Sequence, residues 1–303
     1  MATKKILISG GTGLIGNALS QLLLGDKYKV HHLSRSKSDG PIPTHQWNIA
    51  QQSIDTEAMD STEAIVHLAG AGVADQRWTA ARKEAILKSR TESTRLLHDQ
   101  IKEMDHKPSV FVAASAVGYY GFDTGDQLVD EETKPGNDFL AEVVKAWEAE
   151  TDKIADLGVR VVKLRIGIVL AAEGGALPKI AQPIKLFVGA PLGSGKQYMS
   201  WIHVTDVARM FKMAIENDQM QGVFNCVGPD PVTNAMLTKA VAGVLNKPLF
   251  LPNVPGFVIK MMFGEMGNIV LGGNRVSNEK IVEAGFSYEY ATLEHALQNL
   301  LKS

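Results

Sequence analysis

Apolar residues near the start of the chain follow two different spacings in succession. Ile6, Leu7 and Ile8 form a short continuous run. A helical repeat then follows, with apolar positions Leu14, Ile15, Ala18, Leu19, Leu22 and Leu23. This order predicts a strand, a tight turn and a helix. A second apolar segment, from Tyr28 to Leu33, follows at the distance expected of a βαβ unit.

Strand and helix signals continue to alternate as far as residue 165. Buried strands are predicted at 64–70, 110–115 and 159–164, with helical stripes between them. We expect Gly158 to end the second of these helices. Strands that are apolar throughout are typical of parallel strands covered on both faces. The pattern therefore predicts an α/β fold, a doubly wound parallel sheet of the Rossmann type.

Glycine and proline become frequent beyond Arg165, and the regular alternation ends there. Further helices are predicted near 204–217, 233–246, 255–266 and 293–301. We expect a nucleotide-binding domain over residues 1–165 and a smaller C-terminal substrate domain over residues 166–303. Segments near 199–226 are expected to return to the first domain.

Composition and charge narrow the class of protein. Hydrophobic residues make up 45% of the 303 positions, and the net charge is −2. This balance argues against nucleic-acid or membrane-surface partners. No apolar run approaches the ~18 residues of a membrane span, and the N-terminus lacks the pattern of a signal peptide. A single cysteine, Cys226, fits a reducing compartment, so the expected location is the cytoplasm.

The turn after the first strand carries three glycines, Gly10, Gly13 and Gly16. Glycine allows a tight turn, close approach of a pyrophosphate and close packing of helix and strand. The helix N-terminus that follows offers unpaired N–H groups to phosphate. The turn therefore favours dinucleotide binding, and the alternative is a glycine turn without a ligand.

The second predicted strand ends in Ser34, Arg35, Ser36 and Lys37. An NAD site usually has Asp or Glu at this point to bind the ribose 2′-hydroxyl. A guanidinium binds phosphate oxygens bidentately, so Arg35 favours the 2′-phosphate of NADP. The alternative is a solvated basic loop.

Several strings in the chain resemble the extended and atypical short-chain dehydrogenase/reductase superfamily, and specifically its "epimerase family protein" (sugar-nucleotide epimerase-like) subgroup. They are GGTGLIG (10–16), HLAG (67–70), RWTAARKEAILKSR (77–90), ASAVGYYG (114–121), FLAEVVKAWE (139–148), WIHVTD (201–206) and GNRVSNEKIVEAGF (273–286). The resemblance covers essentially the whole chain and implies binding of NADP (NADPH). The cofactor residues that it implies are Gly10, Thr12, Gly13, Leu14, Ile15, Gly16, Ser34, Arg35, Ala69, Gly70, Arg90, Ser115 and Arg165.

One departure from this superfamily concerns its Tyr-x-x-x-Lys pair. The matching helix has Phe139 at the Tyr position and Val143 at the Lys position, and neither side chain transfers a proton. Lys145 lies on another side of the helix. The catalytic candidates that remain are Ser115, which would orient a substrate carbonyl, and Tyr119 or Tyr120 as the acid. Each has a structural alternative: a hydrogen-bonded hydroxyl for Ser115 and a packed ring for the tyrosines.

Other polar residues are given structural interpretations. We expect His203 to be structural, Asp206 to cap the helix that follows it, and Lys83 to lie on a solvated helix face. Glu148 is a weak acid/base candidate. The string GAPLGSGKQ (189–197) fails the phosphate-loop pattern, and no Cys/His cluster has the spacing of a metal site.

Two functions are compatible with these residues. The first is an NADP-dependent oxidoreductase or epimerase-like enzyme acting on a small molecule of unknown class. The second is a non-catalytic regulatory or scaffold protein that senses NADPH, which the Phe139 and Val143 replacements favour. A homodimer is compatible with either function.

Overall fold

The structure, a computed structural model, describes residues 4–26, 28–37 and 40–302. Its strands are β1 (Lys5–Ser9), β2 (Lys29–Ser34), β3 (Thr44–Asn48), β4 (Ser53–Ile54), β5 (Thr62–His67), β6 (Val110–Ala116), β7 (Leu128–Val129), β8 (Arg160–Ile166), β9 (Ile168–Leu170), β10 (Tyr198–Met199), β11 (Trp201–His203), β12 (Gly222–Cys226), β13 (Val232–Thr233) and β14 (Arg275–Val276). Its helices are α1 (Leu14–Gly25), α2 (Ala80–Glu103), α3 (Phe139–Asp152), α4 (Leu177–Lys185), α5 (Val204–Glu216), α6 (Asn234–Val244), α7 (Gly256–Phe263), α8 (Asn268–Leu271), α9 (Glu279–Glu283) and α10 (Leu293–Lys302).

Eight strands form the main sheet in the order β12-β8-β6-β5-β1-β2-β3-β4. Every pair is parallel except β3 with β4, which is a short antiparallel edge. From β1 the chain builds outward through β2, β3 and β4 and then crosses back to place β5 on the other side. This reversal creates a crevice at the carboxyl ends of β1 and β5, the usual ligand position in such sheets. The predicted doubly wound fold is confirmed.

Alternate strand residues pack into a separate core on each face of the sheet. Ile6 and Ile8 join the cluster under α1 and α5, and Leu7 joins the cluster under α2. Because both faces are covered, the strands lack polar alternation. Helix α3 is fixed by Asp138, whose carboxylate accepts hydrogen bonds from the amides of Leu140 and Ala141.

The C-terminal part of the chain contributes both to the main sheet and to a separate cluster. Strand β12 pairs with β8 at the edge of the main sheet. Helices α4, α6 and α10 pack around their own apolar core, which includes Leu177, Leu237 and Leu297. The division at residue 165 stays a prediction. Within the described ranges, no helix combines the length and apolar character needed to cross a membrane.

Two predicted helix ends are wrong. Asp206 does not cap α5: His203 is the N-cap and accepts from the amide of Thr205, while Asp206 lies in the first turn and accepts from the amides of Glu289 and Tyr290. Helix α3 ends at Asp152, and Gly158 instead ends a following 3-10 turn with a φ of +81°. An acidic residue near the start of a helix can lie in the first turn as well as at the cap. Asp206 takes the first-turn position and binds a loop that is distant in the sequence, which the sequence alone does not show.

Candidate cofactor-binding site

The glycine turn between β1 and α1 is closed by backbone contacts that leave no room for side chains. Gly10 has a φ of +71°, and a Cβ there would lie 3.0 Å from the amide nitrogen of Ala69. The amide of Gly13 donates to the carbonyl of Gly10 at 3.0 Å. Gly13 is the N-cap of α1 and supplies no side-chain cap, so the helix N-terminus stays open to an anion.

A cavity of about 360 Å³ opens beside this turn, at the carboxyl ends of β1, β2 and β5. It is lined by the predicted cofactor residues Gly10, Thr12, Gly13, Ser34, Arg35, Ala69 and Gly70, together with Leu33, Trp47, Ile49, Leu68, Ala71 and Ser89. The structure therefore brings most of the predicted cofactor residues into one pocket. Trp47 and Ile49 were missed because β3 (THQWN) has no apolar run that marks a strand.

The remaining residues of the glycine turn lie behind the pocket. Gly16 is buried, and a Cβ there would overlap the Gly10 carbonyl oxygen and the backbone of Gly11. Leu14 lies against Gly175, at 3.3 Å from that residue's ideal Cβ position, and Ile15 packs on the core. These residues shape the turn rather than line the cavity.

Arg35 is exposed at the rim of the cavity, next to Ser34. Its backbone carbonyl accepts from the side-chain amide of Gln46 at 3.0 Å. Its guanidinium makes no hydrogen bond or ion pair with any residue in the described part of the chain. The pocket therefore has a cation available for an incoming anion.

Arg90 lies directly behind Gly70. Its Nη1 donates to the carbonyls of Ala71 and Ile86, both at 3.0 Å, and its guanidinium lies 5.1 Å from the ring of Trp147. Burial, and then the charge of Arg82, lowers the pKa of Arg90 to about 10. Arg90 supports the Gly70 segment and is not among the residues that line the cavity.

His67 is fully buried beneath the segment that lines the pocket. Its Nδ1 lies 2.6 Å from the hydroxyl of Ser9, and its Nε2 lies 3.1 Å from that of Ser93. Burial, and then the charge of Arg90, lowers its pKa to about 3.

This shift predicts a loss of stability in mild acid. Between pH 6.5 and about 3 the unfolded chain holds a proton on His67 that the folded chain lacks, so stability falls as the pH falls through this range. One such group contributes a slope approaching ~1.4 kcal/mol per pH unit. Urea unfolding of the wild type and of His67→Gln between pH 5 and 7 measures it. Parallel curves for the two proteins would contradict the prediction.

A buried polar network occupies the carboxyl ends of β6 and β8. The Ser115 hydroxyl donates to Glu148 at 2.5 Å, and Arg165 donates to the same carboxylate through Nε and Nη2, both at 2.9 Å. Arg165 Nη1 lies 3.2 Å from the Tyr120 hydroxyl, which donates to Asn225 at 2.7 Å. Ser115 and Arg165 are each only 3% exposed.

The contacts in this network bear on the roles predicted for four residues, Ser115, Tyr119, Tyr120 and Arg165. Ser115 and Tyr120 already have partners for their hydroxyls, and burial raises the pKa of Tyr120 to about 12. Arg165 directs its guanidinium at Glu148 and not into the cofactor cavity. Tyr119 differs: its ring covers the Arg165 guanidinium at 3.4 Å, and its hydroxyl has no hydrogen-bond partner among the residues described.

An aromatic cluster surrounds Phe139, the residue that the family resemblance places at the tyrosine position. Phe139 packs edge-on against Trp78 at 4.9 Å, and Trp78 stacks on Phe122 at 6.0 Å. Lys83 lies 4.9 Å over the Phe139 ring and pairs with Glu265 at 2.5 Å, and the two side chains stay 30% and 44% exposed. Val143 is buried. The side chains of Phe139 and Val143 carry no group that can transfer a proton.

Comparison with known proteins identifies the class that this fold and pocket define. A model of the NAD dependent epimerase/dehydratase family matches residues 6–227, and the chain belongs to that family. A domain of unknown function, DUF1731, matches residues 254–300. The family resemblance predicted from the sequence strings is confirmed.

Individual relatives agree with this assignment. The chain is 36% identical to the chloroplastic "Epimerase family protein SDR39U1 homolog" of Arabidopsis thaliana, over 98% of this chain and 86% of that protein. It is 34% identical to "Epimerase family protein YfhF" of Bacillus subtilis, over 98% and 97%. Among solved structures, human epimerase family protein SDR39U1 (isoform 2) with NADPH is similar with a TM-score of 0.88 and 30% identity, over 98% of this chain and 99% of that one.

Proposed function

We propose that the protein binds NADP(H) in the cavity beside the glycine turn and exchanges hydride with a small carbonyl or alcohol substrate. The observation that carries the proposal is the Arg35 guanidinium at the rim of a glycine-turn pocket, which has no partner among the residues that the structure describes. The human relative crystallised with NADPH supports the same cofactor. A sugar-nucleotide epimerase is a variant of this chemistry.

The residues of the site would have distinct roles. The open N-terminus of α1 and the amides of the glycine turn would hold the pyrophosphate, and Arg35 with Ser34 would hold the 2′-phosphate. When bound, the nicotinamide supplies or accepts the hydride. Tyr119 is the best candidate for the proton, because its hydroxyl has no hydrogen-bond partner among the described residues and its ring lies over the Arg165 guanidinium. Glu148 would hold the Arg165 guanidinium in this position.

A second function has specific support. Phe139 and Val143 replace the usual proton-transfer pair, and the hydroxyls of Ser115 and Tyr120 are occupied. These features favour a protein that senses NADPH without turnover. Purified protein should be assayed for NADPH oxidation with a broad panel of carbonyl compounds. Turnover that is lost in Tyr119→Phe and kept in Tyr120→Phe supports the enzyme, whereas tight cofactor binding with no turnover supports the sensor.

The cofactor preference gives a direct prediction for Arg35→Gln. Removing a charge-assisted hydrogen-bond donor costs about 1.5–3 kcal/mol, so NADPH affinity should fall by roughly 10- to 100-fold while NADH affinity changes little. Titration calorimetry with both nucleotides measures the effect. Lys29→Gln, which removes an exposed cation from the start of β2, is the matched control and should retain the preference. Equal losses for NADPH and NADH would argue against a 2′-phosphate contact.

A further inference from the structure

A histidine and two carboxylates converge at the edge of the main sheet, outside the cofactor cavity. His45 lies on β3, and Asp55 and Glu57 lie in the chain that follows β4. One ligand-type atom from each residue lies within 4.8 Å of the other two. Their spacing in the sequence matches no metal motif, so only the folded chain reveals the group.

Strand pairing explains why these residues meet. β3 and β4 form an antiparallel hairpin in which Trp47 is opposite Ile54. The amide of Asp55 then donates to the carbonyl of Gln46 at 2.9 Å, which extends the ladder by one step. Asp55 is thereby held beside His45.

Two of the three candidate ligands, Asp55 and His45, are held by bonds to other residues. Asp55 caps a 3-10 turn over Thr56–Ala58: its Oδ1 accepts from the amide of Glu57 at 3.2 Å, and its Oδ2 lies 3.6 Å from His45 Nδ1. That distance is too long for a hydrogen bond. It is close to the ~3.4 Å that separates two ligand atoms on a tetrahedral cation with bonds of about 2.0–2.2 Å.

His31 orients the His45 ring from the opposite side. Its Nδ1 lies 2.9 Å from His45 Nε2, and the two rings are nearly coplanar, with centroids 5.2 Å apart and planes at 10°. A histidine that binds a metal through one nitrogen commonly donates its other N–H to a fixed acceptor. His45 would bind through Nδ1 and donate from Nε2 to His31.

We propose that His45, Asp55 and Glu57 bind one borderline divalent cation of the Zn²⁺ type, with His31 as the residue that orients His45. One imidazole and two carboxylates suit such a cation, and water completes its coordination. The ammonium of Lys5 donates to the carbonyl of Glu57 at 2.9 Å and holds the backbone of that residue. The imidazole ligand disfavours Mg²⁺, which takes oxygen ligands and keeps several of its waters.

The cation would brace the edge hairpin. β3 and β4 are the last strands of the sheet on this side, and Trp47 and Ile49 of the same hairpin line the cofactor cavity. The site is therefore structural, and it would steady one wall of the pocket without contacting the cofactor.

The test uses the untagged full-length chain, dialysed against chelator and titrated with Zn²⁺ by calorimetry and with Co²⁺ by visible absorption. We expect one equivalent of each metal to bind, with a Co²⁺ d–d band. His45→Gln and Glu57→Gln should abolish binding. His31→Phe should weaken it by about 10- to 100-fold. Glu57 is exposed, so that variant keeps the fold even if His45→Gln does not.

The matched control is His98→Gln. His98 Nδ1 lies 2.9 Å from Asp99 on α2, a surface His–Asp pair without a third donor among the described residues. This variant should bind Zn²⁺ as the wild type does. Absence of Zn²⁺ binding in the wild type, binding unchanged in Glu57→Gln, or equal affinity for Mg²⁺ would each overturn the proposal.

Discussion

Gly16→Ala is expected to weaken NADPH binding strongly and to destabilise the fold. A Cβ at this position would overlap the carbonyl oxygen of Gly10 and the backbone of Gly11. Backbone atoms cannot rotate away as side chains do, so the turn must open. We expect a stability loss of about 1–3 kcal/mol and a fall in NADPH affinity of about 100-fold or more. Thermal unfolding and titration calorimetry at a temperature where the variant is folded measure the two effects separately.

Gly25→Ala is the matched control because Gly25 ends the same helix. A Cβ there would meet no atom within 4 Å. Alanine is the better helix residue, so this variant should be more stable by up to about 0.5–1 kcal/mol, with unchanged NADPH affinity. If Gly16→Ala binds NADPH as tightly as Gly25→Ala does, close packing at the glycine turn is not required for the site.

The parts of the fold that were predictable are those with a strong local signal. The βαβ unit around Gly10, Gly13 and Gly16 combines an apolar run, a glycine turn and a helical repeat, and the structure forms these elements as predicted. β3 was not predicted because its sequence, THQWN, is mostly polar and stabilised by pairing with β2. Trp47 was consequently absent from the predicted pocket.

The buried network was beyond sequence reasoning for a different reason. Ser115, Glu148 and Arg165 come from β6, α3 and β8, and only strand order and helix packing bring them together. Each residue has several plausible roles when it is considered alone. A serine at a strand end predicts a ligand contact as readily as a bond to a buried carboxylate, and the choice depends on a partner 33 residues away.

The second prediction with a large expected effect concerns the stability that the Glu148–Arg165 pair confers. Both residues are buried, and the guanidinium forms two hydrogen bonds of 2.9 Å with the carboxylate. Arg165→Met leaves a buried carboxylate whose other contacts are Ser115 at 2.5 Å and Lys163 at 3.8 Å. Loss of one partner of such a pair costs about 3–5 kcal/mol, because the desolvation of the remaining charge is no longer offset. Urea unfolding at neutral pH measures the loss.

A double variant separates the cost of an unpaired charge from the net value of the pair. Glu148→Leu with Arg165→Met removes both charges, and most of the stability lost in Arg165→Met should return. Glu142→Gln on the same helix breaks an exposed pair with Lys145 and should change stability by less than about 1 kcal/mol. If the double variant is as unstable as the sum of its single variants, the two side chains contribute independently. Glu148 would then not be needed to hold the Arg165 guanidinium beneath the Tyr119 ring.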